Sequence, residues 1–520
     1  MFIRAKTVQG RTYLQVVENY REGEKVRQRV IATLGRQDEL QEKGRIEGML
    51  RSLARFSEKV RVTEEYKEGK LEARRVVKIG PDLIMARLWS ELGCDAAISK
   101  LISARKHSFS VERAVYSAVL ARLFFPGSDR LADRQARDWR ISGADGLSLH
   151  HLYRAMAWLG ENREGLEEEL FFRNRDLFSS LSVVFFDTTS LYFEGAGGES
   201  LGKRGYSKDR RPDEAQMVVG VVMDQAGRPI ACPMWPGNTT DAATMLPVAT
   251  SLRERFGVSD IVIVADRGMV GAANMAELTQ LGFPYILGVK MRLEKKAMAE
   301  VLSRAGRFRT VSGNLKVKEV RHDGKRYIVC VNPEEAEHDR RAREAIIEDL
   351  EAKLRKGASS LIGNSGYRRY LKMGQKPEID WEKVKREERY DGKWVLATTA
   401  DLPADEVALR YKELWRVERI FREAKDTLET RPIYHKYDAT ISGHVFCSFL
   451  ALLLMHELKR RVDFPCEWKQ LKQDLEALYE VEVKQDGKTW LLRSPLQGIA
   501  GKVFKAAGVA VPPSARMAGV

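Results

Sequence analysis

Apolar positions along this chain change their period several times, and each change marks an element. Residues 1 to about 36 alternate apolar and polar, through Tyr13-Leu-Gln-Val-Val-Glu-Asn-Tyr20, a polar turn and Val26-Arg-Gln-Arg-Val-Ile-Ala-Thr-Leu34, which predicts a small β-hairpin. The charged stretch 37–75 reads as a helix plus linker. From about 80 to 175 the period turns helical, in segments opening at Leu83, Val111 and Leu152. At Val183-Val-Phe-Phe186 a continuous apolar run predicts a strand covered on both faces and ending in Asp187. Met217–Met223 and Pro229–Trp235 predict a hairpin around Asp224-Gln-Ala-Gly227, and Thr240 or Asp241 is expected to cap a helix over about 242–256. Ile261-Val-Ile-Val-Ala265 is a second buried strand, and it too ends in an aspartate, Asp266. A helix at about 271–281 and a strand at Tyr285–Val289 follow, giving the order β-β-β-α-β-α-β. Two buried strands with a carboxylate at the exit of each match the place where open α/β sheets hold ligands.

Residues 293–392 interrupt the series with a hairpin (Leu315–Arg321 and Arg326–Val331) and a charged helix at about 335–356, which reads as an inserted β-rich domain. Trp394–Thr399 returns to strand character, and a helix starts near Pro403. In it Val407, Tyr411, Leu414, Phe421 and Leu428 trace one apolar stripe, with Glu418 inside the stripe and Lys425 seven residues further on. A carboxylate on an inward face needs a lysine, a hydrogen bond or a metal ion. Both a buried Glu–Lys pair and a ligand role satisfy that demand. The chain closes with an apolar helix at 441–461, a charged helix at 467–480 and a short hairpin. The expected organisation is 1–75, hairpin and linker; 76–178, helical; 179–292 and 393–435, two parts of one α/β core; 293–392, insertion; and 436–520, helical.

Composition adds a partner class. Lys and Arg number 88 against 73 Asp and Glu, leaving +15, which favours a polyanionic partner, most simply nucleic acid. Cations at Leu101–His107 and Arg130–Arg140 suit a DNA-reading helical module or a plain helical subdomain with a solvated face. Five scattered cysteines with no metal-ligand spacing suit a reducing cytosol. Met1-Phe-Ile-Arg-Ala-Lys6 lacks the apolar segment of a signal peptide, and the apolar run Val445–Met455 is too short for a bilayer. A cytoplasmic, nucleoid-associated protein with no membrane partner is expected.

Asp187, Asp266 and Glu418 form the candidate chemistry. Carboxylates without histidine or cysteine partners are hard-oxygen ligands, suited to Mg²⁺ or Mn²⁺. Two such ions about 3.5–4 Å apart can serve phosphodiester chemistry. This order, with Tyr411, Glu418 and Lys425 on one helix, resembles the RNase H-like catalytic domain of DDE transposases, in particular bacterial insertion-sequence transposases of the IS-four type. That group carries a Tyr-x2-Arg-x3-Glu-x6-Lys helix and a β-rich insertion before it. Gly237-Asn-Thr-Thr-Asp241, Asp266-Arg-Gly268 and Gly205-Tyr-Ser-Lys-Asp-Arg-Arg-Pro212 are similar to motifs of the same group. Two positions depart from the pattern: Leu414 replaces the arginine, with Arg416 or Arg419 available instead, and Met269 replaces a common aromatic.

The resemblance implies an α/β, RNase H-like mixed sheet with an inserted β-rich domain, flanked by mainly helical regions. It implies metal-dependent cleavage at transposon ends followed by strand transfer, with Asp187, Asp266 and Glu418 holding two Mg²⁺ or Mn²⁺ ions. Tyr411, Trp415, Arg416, Arg419, Arg422 and Lys425 are then the DNA contacts. The expected partners are double-stranded inverted-repeat ends and target DNA, engaged by a homodimer in a synaptic complex. An RNase H-like nuclease or resolvase would share the carboxylates, and a silent transposase-derived DNA-binding protein would share the fold. A phosphatase with Asp187 as nucleophile lacks the second aspartate two residues on, where Thr189 stands.

Overall fold

Asp187 lies in the middle of a strand and not at its end. In the computed structural model, β5 runs Val183–Tyr192, with every residue buried except Asp187 and Tyr192. The structure describes residues 1–518 apart from 23–24, 43, 55–65, 67, 103–106, 175–181, 259–260, 270, 294, 357–364, 373–376 and 486. Much of the expected linker in 37–75, and Arg105 and Lys106, lie outside the described residues.

The N-terminal hairpin is a three-stranded sheet: β1 (Phe2–Val8), β2 (Arg11–Glu22) and β3 (Lys25–Arg36) pair in the order β1-β2-β3. Helices Gln37–Glu42 and Arg45–Ala54 follow, and then β4 (Leu71–Lys78).

The main sheet builds outward from β5. β6 (Gln216–Asp224) pairs antiparallel with it, and β7 (Pro229–Ala231) and β8 (Met234–Pro236) pair with β6. On the other side β9 (Val262–Ala265) and β10 (Tyr285–Gly288) run parallel to β5, as the two helical crossovers Asp241–Phe256 and Ala272–Gln280 allow. Beyond them come β11 (Arg309–Ser312), β12 (Leu315–His322) and β13 (Lys325–Val331). A small β14 (Leu371–Lys372) and β15 (Glu378–Ile379) pair with each other, and β16 is Lys393–Thr398. The path across the sheet is β11-β12-β13-β16-β10-β9-β5-β6-β7. The hairpin expected inside an inserted domain thus continues the main sheet through β16, because Tyr327, Val329 and Val395 share its apolar core. The charged helix Pro333–Lys356 has its own small core of Ile347, Leu350, Tyr370, Leu371 and Val384.

One face of the sheet is covered by Met245, Val248, Leu252 and Phe256 of the Asp241–Phe256 helix, packed on Phe186, Val222 and Ile263. The helix Asp438–Arg461 is long and apolar enough to cross a membrane, yet 78% of its apolar window is buried inside the fold. It packs on the helices Val111–Phe124 and Leu149–Glu161. Gly443 permits the second contact, since a Cβ there would collide with the Met156 carbonyl. The cations of 130–140 stand on the short helix Asp129–Gln135 and the turn after it. The chain ends with the helix Trp468–Glu476, β17 (Tyr479–Gln485), β18 (Lys488–Arg493) and β19 (Ala515–Met517). These strands and β4 make one sheet, and residues 1–77, 478–495 and 512–520 form one compact unit, the rest another.

Candidate active site

Register brings the two aspartates together. Phe186 pairs with Ala265 in the parallel β5–β9 ladder, so the next residues, Asp187 and Asp266, emerge side by side on strands about 4.8 Å apart. Burial pushes the Asp187 carboxyl up to about 6, against the pull of Lys208 and of the Thr188 N–H, and the charges of Asp266 and Asp241 push the same way. Asp187 Oδ1 accepts the Thr188 N–H at 2.7 Å.

The Tyr411 hydroxyl donates to Asp266 Oδ1 at 2.8 Å. Gly288 leaves the room for it, as a Cβ there would collide with the Tyr411 hydroxyl. Burial, and then the neighbouring Asp266 charge, hold this phenol far above its ordinary range, so it stays a donor at every accessible pH. Tyr411→Phe keeps the ring and removes a hydrogen bond to a charged group, and it is expected to cost about 1.5–3 kcal/mol of stability. Chemical denaturation of the two proteins checks this, and an unchanged midpoint would mean that the bond is not made in solution.

Asp241 does not cap its helix. Thr240 is the N-cap of its helix and makes no side-chain cap bond, while Asp241, the first helical residue, points across to β5. Its Oδ1 accepts the Thr188 hydroxyl at 2.7 Å, and its Oδ2 lies 3.2 Å from Lys208 Nζ. Lys208 also donates to the Thr188 carbonyl at 2.7 Å and to Thr188 Oγ1 at 2.9 Å. Both residues sit in motifs visible in the sequence, but their meeting depends on the register of β5.

Glu418 is not among these groups. The expected single helix is divided: Ala404–Lys412, a turn at Glu413 and Leu414, Trp415–Arg422, then a π turn at Glu423–Thr427. Val417, Ile420 and Phe421 take the inward face, which packs on β5, and Glu418 is exposed. It shares the outer face with Trp415, which is 52% exposed, and with Arg419 and Arg422. The inward placement expected for Glu418 is therefore corrected. Lys425 is also removed from the surface: its ammonium pairs with Asp209 at 2.9 Å, and Arg431 pairs with the same carboxylate oxygen at 3.1 Å. Arg416 donates to the Gln225 carbonyl at 2.6 Å, and Arg419 to Glu423 at 3.1 Å. Leu414, where the family pattern has arginine, is buried.

Two families of known proteins match this chain. The model described as transposase DDE domain matches residues 179–454, a span that includes Asp187, Asp266 and Glu418. The chain belongs to that DDE transposase family. A second model, described as IS1634 family transposase, N-terminal domain, matches residues 3–67 of the same transposase. No curated protein matches it. Among solved structures it is similar to a piggyBac transposase synaptic complex with hairpin DNA, at 11% identity and a TM-score of 0.37, over 76% of this chain and 79% of that one. As an insertion-sequence DDE transposase, the protein is an enzyme of DNA transposition.

Asp187 and Asp266 offer this transposase carboxylate oxygens alone, a donor set that fits a hard divalent cation. Mutual repulsion beside a partly buried Asp187 gives the pair a further need for positive charge. Among the described residues, no three groups stand close enough to hold one ion as arranged.

Proposed function

We propose that this transposase cleaves DNA at the ends of its insertion sequence and joins them to target DNA at a centre formed by Asp187, Asp266 and Glu418. The observation that carries the reading is the adjacency of Asp187 and Asp266 at the β5–β9 register. The path β7-β6-β5-β9-β10, with β5, β9 and β10 parallel and β6 reversed, supports an RNase H-like core. The Tyr411, Glu418 and Lys425 spacing supports assignment to the IS-four type.

Mg²⁺ or Mn²⁺, two ions at full occupancy, would supply the Lewis acidity for in-line phosphoryl transfer. The chain's own part is positional. Asp187 and Asp266 converge from adjacent strands, and Tyr411 fixes the orientation of Asp266. Trp415, Arg419 and Arg422 present an aromatic and cationic face beside Glu418, suited to a DNA end. The helical stretch 76–178 is proposed to bind the ends, with two copies of the chain pairing them in synapsis.

The test uses purified protein, Mg²⁺ and a plasmid carrying the DNA that flanks the gene. Specific cuts at both flanks, abolished by EDTA and restored by Mn²⁺, are expected. Cutting at branched DNA irrespective of sequence would instead identify a resolvase.

A further inference from the structure

Lys208 pairs with Asp241 and acts on Asp187, and the sequence pattern gives it no role. Its backbone is held on both sides. The Lys208 N–H donates to Ser190 Oγ at 2.9 Å, and the next residue, Asp209, is anchored by Lys425 and Arg431. Its side chain reaches in over Thr188 to Asp241 and stands beside Asp187, whose carboxyl it pulls down against burial. The Lys208 side chain keeps 28% of its surface exposed, so it is reachable from solvent. A lysine stem has four rotatable carbons and a strongly hydrated head, which lets it leave one partner for another without moving the backbone.

The charges of Asp241 and Asp266 thus both press on Asp187, and the Lys208 ammonium, paired with Asp241, acts against them. A divalent cation at Asp187 would meet that ammonium as a like charge. We propose that Lys208 is an internal counter-ion of the acid site, which holds positive charge there until the metal arrives and then turns to a DNA phosphate. The inference rests on the metal role proposed for Asp187 and Asp266. It makes Lys208 a brake on metal loading in the absence of DNA.

Mn²⁺ binding to the full chain without DNA, followed by the loss of the free-ion EPR signal, tests it directly. Lys208→Met should bind Mn²⁺ about tenfold more tightly than wild type, and Lys208→Arg, which keeps the charge, should remain near wild type. Lys208→Gln, which keeps a donor for the Thr188 carbonyl, repeats the measurement should the methionine variant not fold. Adding duplex DNA should tighten Mn²⁺ binding to wild type and leave Lys208→Met unchanged. Mn²⁺ binding lost in Asp187→Asn, with equal or weaker affinity in Lys208→Met than in wild type, would overturn the counter-ion role alone. Mn²⁺ binding indifferent to Asp187→Asn would overturn both that role and the metal site beneath it.

Discussion

Asp187→Asn is expected to abolish strand cleavage and, in EDTA, to make the protein more stable at neutral pH. Burial lifts the folded carboxyl from its ordinary 3.8 to about 6, with Asp266 and Asp241 adding to the shift. A raised carboxyl favours the protonated folded state. Below the unfolded value the group costs nothing, between the two values the cost grows, and above about 6 it is complete. At 1.36 kcal/mol per unit, the ionised Asp187 costs the metal-free fold about 2–3 kcal/mol at pH 7–8. Asparagine has the same shape, still accepts the Thr188 N–H and carries no charge. Wild type and variant should therefore match near pH 4, and the variant should lead by that amount at pH 8. Saturating Mg²⁺ should close most of that gap, since an ion at a hundred times its Kd returns about 2.7 kcal/mol to wild type alone. Cleavage by the variant should fall by at least about a thousandfold. Unfolding curves at pH 4 and pH 8, with and without Mg²⁺, check the sign; a variant less stable at pH 8 in EDTA would refute it.

The strain that this predicts is a consequence of register, and register is what the sequence conveyed least. Val183–Phe186 and Ile261–Ala265 announce themselves as buried strands because both are continuously apolar, and Asp187 and Asp266 stand out where each run stops. That β5 continues through Thr188 and Ser190 to Tyr192 was hidden, since aspartate and serine are poor strand formers and read as an exit. The pairing of Phe186 with Ala265 sets the two aspartates side by side, and no local pattern encodes it. Asp241 looked like a helix cap for the same reason: its partners Thr188 and Lys208 lie far away in the chain.

The stripe containing Glu418 failed on a countable point. It assumed 3.6 residues per turn throughout, but Glu413, Leu414, Arg416 and Val417 all donate to the carbonyl three residues back. Such 3₁₀ turns advance about 20° more per residue than an α-helix, so a few of them move the inward position from Glu418 to Val417. The π turn then under-winds, with Leu428 N–H reaching the Glu423 carbonyl, and Leu428 returns to the buried face where the stripe expected it. Both irregular turns flank Glu418, as irregular helical turns often flank functional residues.

Glu418→Gln should consequently behave unlike Asp187→Asn. The residue is exposed on a helix whose packing rests on Val417, Ile420 and Phe421, so its substitution should move stability by less than about 0.5 kcal/mol at any pH. Binding of end DNA should persist, because Trp415, Arg419 and Arg422 keep their outer face. Cleavage should nevertheless fall by at least about a thousandfold if the carboxylate is the third acid. That combination would require the segment Trp415–Arg422 to turn toward Asp187 when DNA binds, a rotation that the over-wound and under-wound turns at its two ends would absorb. The rotation has its own readout: Trp415 is half-exposed in the free protein, and its fluorescence should shift when duplex ends and Mg²⁺ are added together. Undiminished cleavage by Glu418→Gln would remove this glutamate from the centre, and the search for the third acid would pass to Asp241, which already faces Lys208 beside Asp187.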